Sequence, residues 1–354
     1  MRILLFINNI SCAGGSERAA SVLANQLSSK GYEVVVLSWM GGNKSPFFKL
    51  NENITLMALF QTEVNIYKSY LQSFWRYYLL IKKVKPDYII DVCTALSLFS
   101  VPLRLLLPFK LISWEHFNTS VKWNAFTPRI ARWLVSNFAN NVVVLTNTDK
   151  VNYENTFSAK NVITISNPIT ISHQLKANLN SNIVLSIGRF TPQKGFDLLL
   201  HAWVIVQAKM PHIKLHIVGD GELKLSLLQL AGQLNISNSI QWFEPTSMIE
   251  KYYEESSLYV MSSRFEGLPL VLIEAKSFGL PIVSFDCETG PREIVRDQID
   301  GILVPALDSN ALAAAIIRLM QHESLRVRYG NSALNDMNRF SLDEIANKWV
   351  KILQ

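Results

Sequence analysis

Cysteine is scarce: Cys12, Cys93 and Cys287 stand far apart, and no C-x-x-C pair exists. That spacing argues against a zinc site and a disulfide framework, and it fits a reducing cytosol. D-x-D is absent as well, so a metal site of that type is unsupported. Neither AGGSER nor GDGEL completes a G-x-G-x-x-G after a strand, which argues against a dinucleotide-dependent oxidoreductase. No uncharged apolar run reaches the ~18 residues that a membrane span needs. The richest candidate, Leu96 to Ser113, is broken by Pro102, Arg104, Pro108 and Lys110. The opening MRILLFINNI has one arginine and leads into GGSER without a small-residue cleavage pattern, so it reads as a buried strand rather than a signal peptide. Charge is low too, at 18% of residues against 49% hydrophobic, which argues against disorder.

What is present suffices for two cores, since 354 residues suit two domains. In the first half RILLFINN, YEVVVLSW, DYIIDVC, KLISWEH and NVVVLT read as strands. SERAASVLANQLSSKG reads as a helix closed by Gly31. The polar, turn-rich stretch from Ile163 to Asn182 reads as a linker. The alternation then restarts with strands NIVLSIG, HIKLHIVGDG, SIQWFEP, LYVMSS, LPIVSFD and GILVP, and with the helix KGFDLLLHAWVIVQAKM. Near-continuous apolar strands between helices predict parallel sheets covered on both faces. The expected fold class is α/β, with two doubly wound Rossmann-like domains over 1–168 and 169–340. FSLDEIANKWVKILQ reads as a final amphipathic helix over about 341–354. Ligands of such sheets bind beyond the strand carboxyl ends, so the expected site is the cleft between the domains.

In SIGRFTPQKGFD, Arg189 follows a strand and Lys194 falls at the start of a helix. A cation there opposes the helix macrodipole by roughly 0.3–1 kcal/mol. The placement makes sense when an anion is held by the helix N–H groups and the two cations; a solvated pair of surface cations is the alternative. In SRFEGLPLVLIEAKSFGLPIVSFD, Pro269 suits the first turn of a helix and Gly279 its end. Glu266 then lies in the strand-to-helix loop, where Gly267 permits close backbone approach to a ligand. Glu274 lies more than one turn into the helix, and a buried carboxylate there needs donors such as the vicinal hydroxyls of a ribose. A loop glutamate followed by a surface-helix glutamate fits the same spacing.

SRFEGLPLVLIEA, with SIGRFTPQKGFDLLLHA upstream, strongly resembles the retaining glycosyltransferases of the two-Rossmann-domain (GT-B) class. Within it the chain is most similar to family four, which includes bacterial enzymes building O-antigen, capsule and exopolysaccharide. AGGSER resembles that family's glycine-rich loop, ISNP its interdomain strand, and FDCETGPREIV with DGILVP its last nucleotide-site segment. The resemblance implies a nucleotide-sugar donor, with UDP expected, and neither cofactor nor metal. Glu274 would bind the ribose hydroxyls, while Glu266 and the backbone of Gly267 and Leu268 would hold the donor sugar. Arg189 and Lys194 would neutralise the diphosphate and stabilise it as a leaving group. Gly14 and Gly15 would let the first domain's backbone close over the phosphates. His116, at the end of a strand in SWEHFN, would face donor sugar and acceptor; the alternative is a strand-end histidine with a structural hydrogen bond. Glu115 would point the other way. The implied catalytic set is Glu266, His116, Arg189 and Lys194, and the final helix would cross back to the first domain. Two departures stand out: Glu244-Pro245 where the family usually carries glycine near the base, and KSFGLP in place of a small-residue version.

Basic residues concentrate early. Residues 1–175 hold 17 Lys and Arg against 9 Asp and Glu; the remainder holds 17 against 19. Lys68, Arg76, Lys82, Lys83 and Lys85 mix with aromatics between Ile66 and Pro86, as do Arg129 and Arg132 with Trp123, Phe126 and Trp133. This suits peripheral contact with an anionic membrane, and it also suits ordinary helices with aromatic cores. No nucleic-acid motif accompanies the charge. The expectation is a cytoplasmic enzyme at the inner membrane face, transferring a hexose or N-acetylhexosamine to a lipid-linked glycan. A non-catalytic nucleotide-sugar-binding module is the alternative from another class; an inverting transferase or a nucleotide-sugar epimerase is disfavoured by the Arg–Lys and Glu–Glu pairings.

Overall fold

The computed structural model describes residues 1–64, 69–118, 126–171, 175–246 and 248–354. Lys68, Trp123 and the side chain of Phe126 therefore lie outside the described residues, as do 172–174 of the linker and Ser247. The chain divides into two compact units, Met1–Thr170 with Leu342–Gln354, and Ile171–Ser341.

The first unit is built on strands β1 (Arg2–Ile7), β2 (Glu33–Ser38), β3 (Thr55–Ala58), β4 (Tyr88–Val92), β5 (Lys110–Trp114), β6 (Asn141–Val144) and β7 (Val162–Thr164). Its helices are α1 (Gly15–Ser29), α2 (Tyr70–Val84), α3 (Ser97–Arg104), α4 (Phe126–Phe138) and α5 (Asn147–Phe157). The strands form one parallel sheet in the order β3-β2-β1-β4-β5-β6-β7. β1 and β4 are apolar almost throughout because helices cover both faces. The two edge strands were not expected from sequence. TLMA is exposed or half-buried along its length, and VIT, three residues long, runs into the stretch expected as linker. An edge strand needs less apolar surface than a central one, so its signal is weak.

The second unit holds β8 (Ile183–Ile187), β9 (Lys214–Val218), β10 (Ile240–Phe243), β11 (Leu258–Met261), β12 (Ile282–Asp286) and β13 (Gly301–Pro305). Around them lie α6 (Phe196–Lys209), α7 (Lys224–Gln233), α8 (Glu250–Glu255), α9 (Leu270–Ser277), α10 (Pro291–Ile294), α11 (Ser309–Gln321) and α12 (Glu323–Asn335). This sheet is also parallel, in the order β10-β9-β8-β11-β12-β13. In both sheets the strand order reverses beside the unit's first strand, between β1 and β4 and between β8 and β11. Helix connections leave opposite faces there, which opens a crevice at the strand carboxyl ends.

The last helix, α13 (Leu342–Ile352), belongs to the first unit. Its buried stripe is Ile345, Ala346 and Trp349, and the Trp349 ring meets Trp114 of β5 edge-on at 4.8 Å. Lys30, just after α1, donates to Asn347 at 3.1 Å. No helix among the described residues is long and apolar enough to cross a membrane.

Candidate active site

Two loops of the second unit leave neighbouring strands at its crevice: 188–195 after β8 and 262–269 after β11. The first contains a 3-10 turn, Pro192–Lys194, followed by Gly195 in the left-handed region at φ 61°. Lys194 thus precedes α6 in a turn of its own, a correction to its expected place at the helix start. Gly195 is required there, since a Cβ would lie 2.1 Å from the Ser262 carbonyl oxygen.

The two loops are tied together. Ser262 Oγ donates to the Lys194 carbonyl at 3.1 Å, and Arg264 N to the Gln193 carbonyl at 2.8 Å. Gln193 Nε2 returns a bond to the Phe265 carbonyl at 3.1 Å. Arg264 also donates to the Pro192 carbonyl at 2.9 Å and, as a fork, to both oxygens of Asp197 at 2.8 and 2.7 Å. Those bonds hold the Asp197 carboxyl below its ordinary pKa. The latch brings together two residues far apart in sequence: Lys194 Nζ lies 2.6 Å from Glu266 Oε1, with side chains 21% and 6% exposed. Arg189 is exposed and makes no ion pair with the described residues.

A third segment closes the loop from behind. Thr289 Oγ1 donates to the Glu266 carbonyl. Gly290, at φ 95°, packs so tightly that a Cβ would lie 2.5 Å from the Gly267 carbonyl oxygen. Leu268 is buried, and neither its N–H nor that of Gly267 donates to any described residue. Gly267 is half-buried, so these two N–H groups are free to meet an external acceptor.

Pro269 has ψ 104° and stands just outside α9 as its cap, rather than within its first turn as expected. Gly279 ends the helix at φ 76°. Glu274 is buried, and the Tyr253 hydroxyl donates to its Oε2 at 2.9 Å. Tyr253 comes from α8 and stacks on Phe278 at 5.1 Å. Sequence reading missed Tyr253, and it noted Lys276 only as part of the KSFGLP departure, without its burial. Lys276 is fully buried, 2.9 Å from Asp300 and 2.5 Å from Asp336, and donates to the Ile294 carbonyl at 2.7 Å. Burial lowers its pKa against the pull of the two carboxylates. Glu244, the departure near the expected base loop, is exposed and pairs with Lys224, which also lies 3.6 Å from Asp220.

In the first unit Gly14 caps α1 at an ordinary extended φ of −98°, and Gly15 opens that helix. Both follow β1 at the crevice. His116 follows β5, with its ring 4.4 Å from that of Trp114. Its Nε2 is buried without a partner among the described residues, and burial pushes its pKa down to about 3. The structural hydrogen bond of the alternative reading is thus lacking at Nε2 among the described residues. Glu115 takes the structural part instead: it accepts from Arg132 Nε at 2.9 Å, the Tyr153 hydroxyl at 3.0 Å and Phe117 N at 3.1 Å.

This architecture matches known enzymes. The "Glycosyltransferase Family 4" model covers residues 13–173, and the "Glycosyl transferases group 1" model covers 169–336. The amylovoran biosynthesis glycosyltransferase AmsD of Erwinia amylovora is 33% identical, over 99% of both chains. The chain belongs to the group 1 glycosyltransferases. A Campylobacter jejuni relative is 28% identical over 100% of this chain and 98% of its own; it is named as an alpha-1,4-N-acetyl-D-galactosaminyltransferase of an undecaprenyl-diphosphate-linked glycan. Among solved structures, a Staphylococcus aureus TarM variant in complex with fondaparinux, alpha-GlcNAc-glycerol and UDP superposes with a TM-score of 0.85 at 16% identity, covering 100% of this chain and 99% of TarM. The fold of this group 1 chain is accordingly GT-B.

Proposed function

We propose that the chain is a retaining, metal-independent glycosyltransferase that moves a hexose or N-acetylhexosamine from a UDP-sugar to a lipid-linked glycan during bacterial surface-polysaccharide synthesis. One observation carries this reading: the latch that sets Lys194 against Glu266 beside the unpaired N–H groups of Gly267 and Leu268. A cation, an acceptor and backbone donors converging at a strand-order reversal suit a sugar diphosphate. Glu266 and the two N–H groups hold the sugar hydroxyls. Glu274, aligned by Tyr253, accepts from the ribose. Arg189 and Lys194 meet the charge that develops on the departing diphosphate.

In the reaction the bond from the sugar's anomeric carbon to the diphosphate oxygen breaks, and a bond from the acceptor oxygen to that carbon forms on the same face. The acceptor's proton passes to the leaving phosphate. In this reading neutral His116 meets the donor sugar and the acceptor, and the backbone at Gly14 and Gly15 binds the diphosphate. The alpha linkage named for the C. jejuni relative supports retention, its undecaprenyl-diphosphate acceptor supports a lipid-linked one, and the UDP in the TarM complex supports the base. Such an acceptor puts the enzyme at the inner face of the cytoplasmic membrane.

Calorimetric titration with UDP, GDP and ADP, without metal and in EDTA, tests this. UDP is expected to bind best, and Glu274→Ala to weaken it at least tenfold while circular dichroism stays unchanged. Unaltered affinity in Glu274→Ala would sink the site, and no binding of any nucleotide would favour a non-catalytic module.

A further inference from the structure

Helix α2 carries a feature that sugar transfer leaves unused. Its inner face buries Ser73, Tyr77, Ile81 and Val84. On the opposite face Leu71, Trp75 and Leu79 follow at four-residue steps, 82%, 62% and 58% exposed. A helix on a folded unit ordinarily turns polar residues to water, so a stripe of large apolar side chains marks a contact surface. The Trp75 ring is braced flat against Tyr78, with centroids 5.2 Å apart and planes 13° apart.

Charge decides what covers the stripe. No acidic residue lies on α2. Lys82 and Lys83 in its last turn, and Lys85 at its left-handed cap, are all exposed. Arg76 turns inward instead: it donates to the Leu59 carbonyl at 2.9 Å and lies 4.6 Å over the Phe60 ring. A second copy using this face would bring a second set of lysines to the contact, with no carboxylate on the helix to meet them. A lipid surface supplies both complements, an acyl boundary for the ridge and headgroup phosphates for the lysines.

We propose that α2 is a docking helix that seats the chain on an anionic lipid surface, with Leu71, Trp75 and Leu79 in the acyl boundary and Lys82, Lys83 and Lys85 on headgroup phosphates. The proposal rests on the membrane-side reading above and assigns it a site.

The test is flotation of the full chain with phosphatidylglycerol–phosphatidylethanolamine vesicles and with phosphatidylcholine vesicles, at low and high salt. Wild type is expected on the anionic vesicles only, and less at high salt. Replacing each lysine with Gln is expected to weaken partition about fivefold. The combined Leu71→Ser, Trp75→Ser, Leu79→Ser variant is expected to weaken it at least tenfold, with UDP titration unchanged in all variants. Equal partition of the ridge variant and the wild type overturns the docking helix and leaves the membrane reading standing. Failure of the wild type to bind anionic vesicles overturns both, while the nucleotide titration judges the transferase reading separately. A wild-type dimer that Trp75→Ser dissociates overturns the proposal in favour of a second copy.

Discussion

His116 shows how one side chain's surroundings set its chemistry. A histidine held near pKa 3 is neutral at every physiological pH, so it can meet a ligand as a hydrogen-bonding group and not as a cation. Between its ordinary value of 6.5 and about 3, the unfolded chain binds a proton that the folded chain refuses. Stability therefore falls as pH drops through that window. His116→Gln is expected to flatten the melting temperature against pH between about 6 and 4, and identical slopes would show that the ring titrates normally. The site glutamates were legible as residues, because Glu266 and Glu274 stand in a run with recognisable turn and helix signals. Their partners were not legible. The Tyr253 hydroxyl reaches the Glu274 carboxylate and the Thr289 hydroxyl the Glu266 backbone carbonyl through space, and nothing in a linear pattern marks which hydroxyl will be buried against either.

Among elements, the turn at Pro192–Lys194 matters most to the site. The sequence suggested one helix beginning at Lys194, whereas Gly195 breaks the backbone into a separate turn that aims the ammonium at Glu266. Gly195→Ala forces a left-handed alanine, at roughly 1–2 kcal/mol, and drives its Cβ into the Ser262 carbonyl. At least a tenfold fall in kcat/KM is expected, with a lower melting temperature; full activity would show that the latch does not position Lys194. Helix α9 depends on a different anchor. Lys276→Ala leaves the Asp300 and Asp336 carboxylates without their buried cation, a change that costs about 3–5 kcal/mol. Urea unfolding should report it as an earlier midpoint, and an unchanged midpoint would mean that Arg296, 2.6 Å from Asp300, and Arg339, 2.8 Å from Asp336, suffice. Sequence reading took the lysine in KSFGLP for a modest departure because an isolated lysine reads as surface. Central strands were legible for the opposite reason: each carries a mainly apolar run of four to six residues, while the edge strands β3 and β7, four and three residues long, are too short to register.

For the whole molecule, the notable fact is that the first unit is discontinuous in sequence. Leu342–Gln354 completes it, although all of Ile171–Ser341 lies between. The amphipathic pattern of that last segment was readable by itself, while its partner in the first unit came from the family resemblance, since period identifies a buried face without naming what buries it. Trp349→Ala removes the ring packed against Trp114 and is expected to cost about 3–5 kcal/mol. Two-transition calorimetry should locate the loss in the first unit alone; a shift confined to the other transition would reassign the helix.

That discontinuity has a consequence for biosynthesis. A chain leaves the ribosome from its N-terminus, and units generally fold as they emerge. The second unit is contiguous and has every strand it needs once Ser341 is out. The first unit, though translated earlier, keeps the Trp114 face uncovered until α13 follows. The half made first is therefore the half finished last, and during that interval a nascent-chain chaperone has an apolar surface to hold.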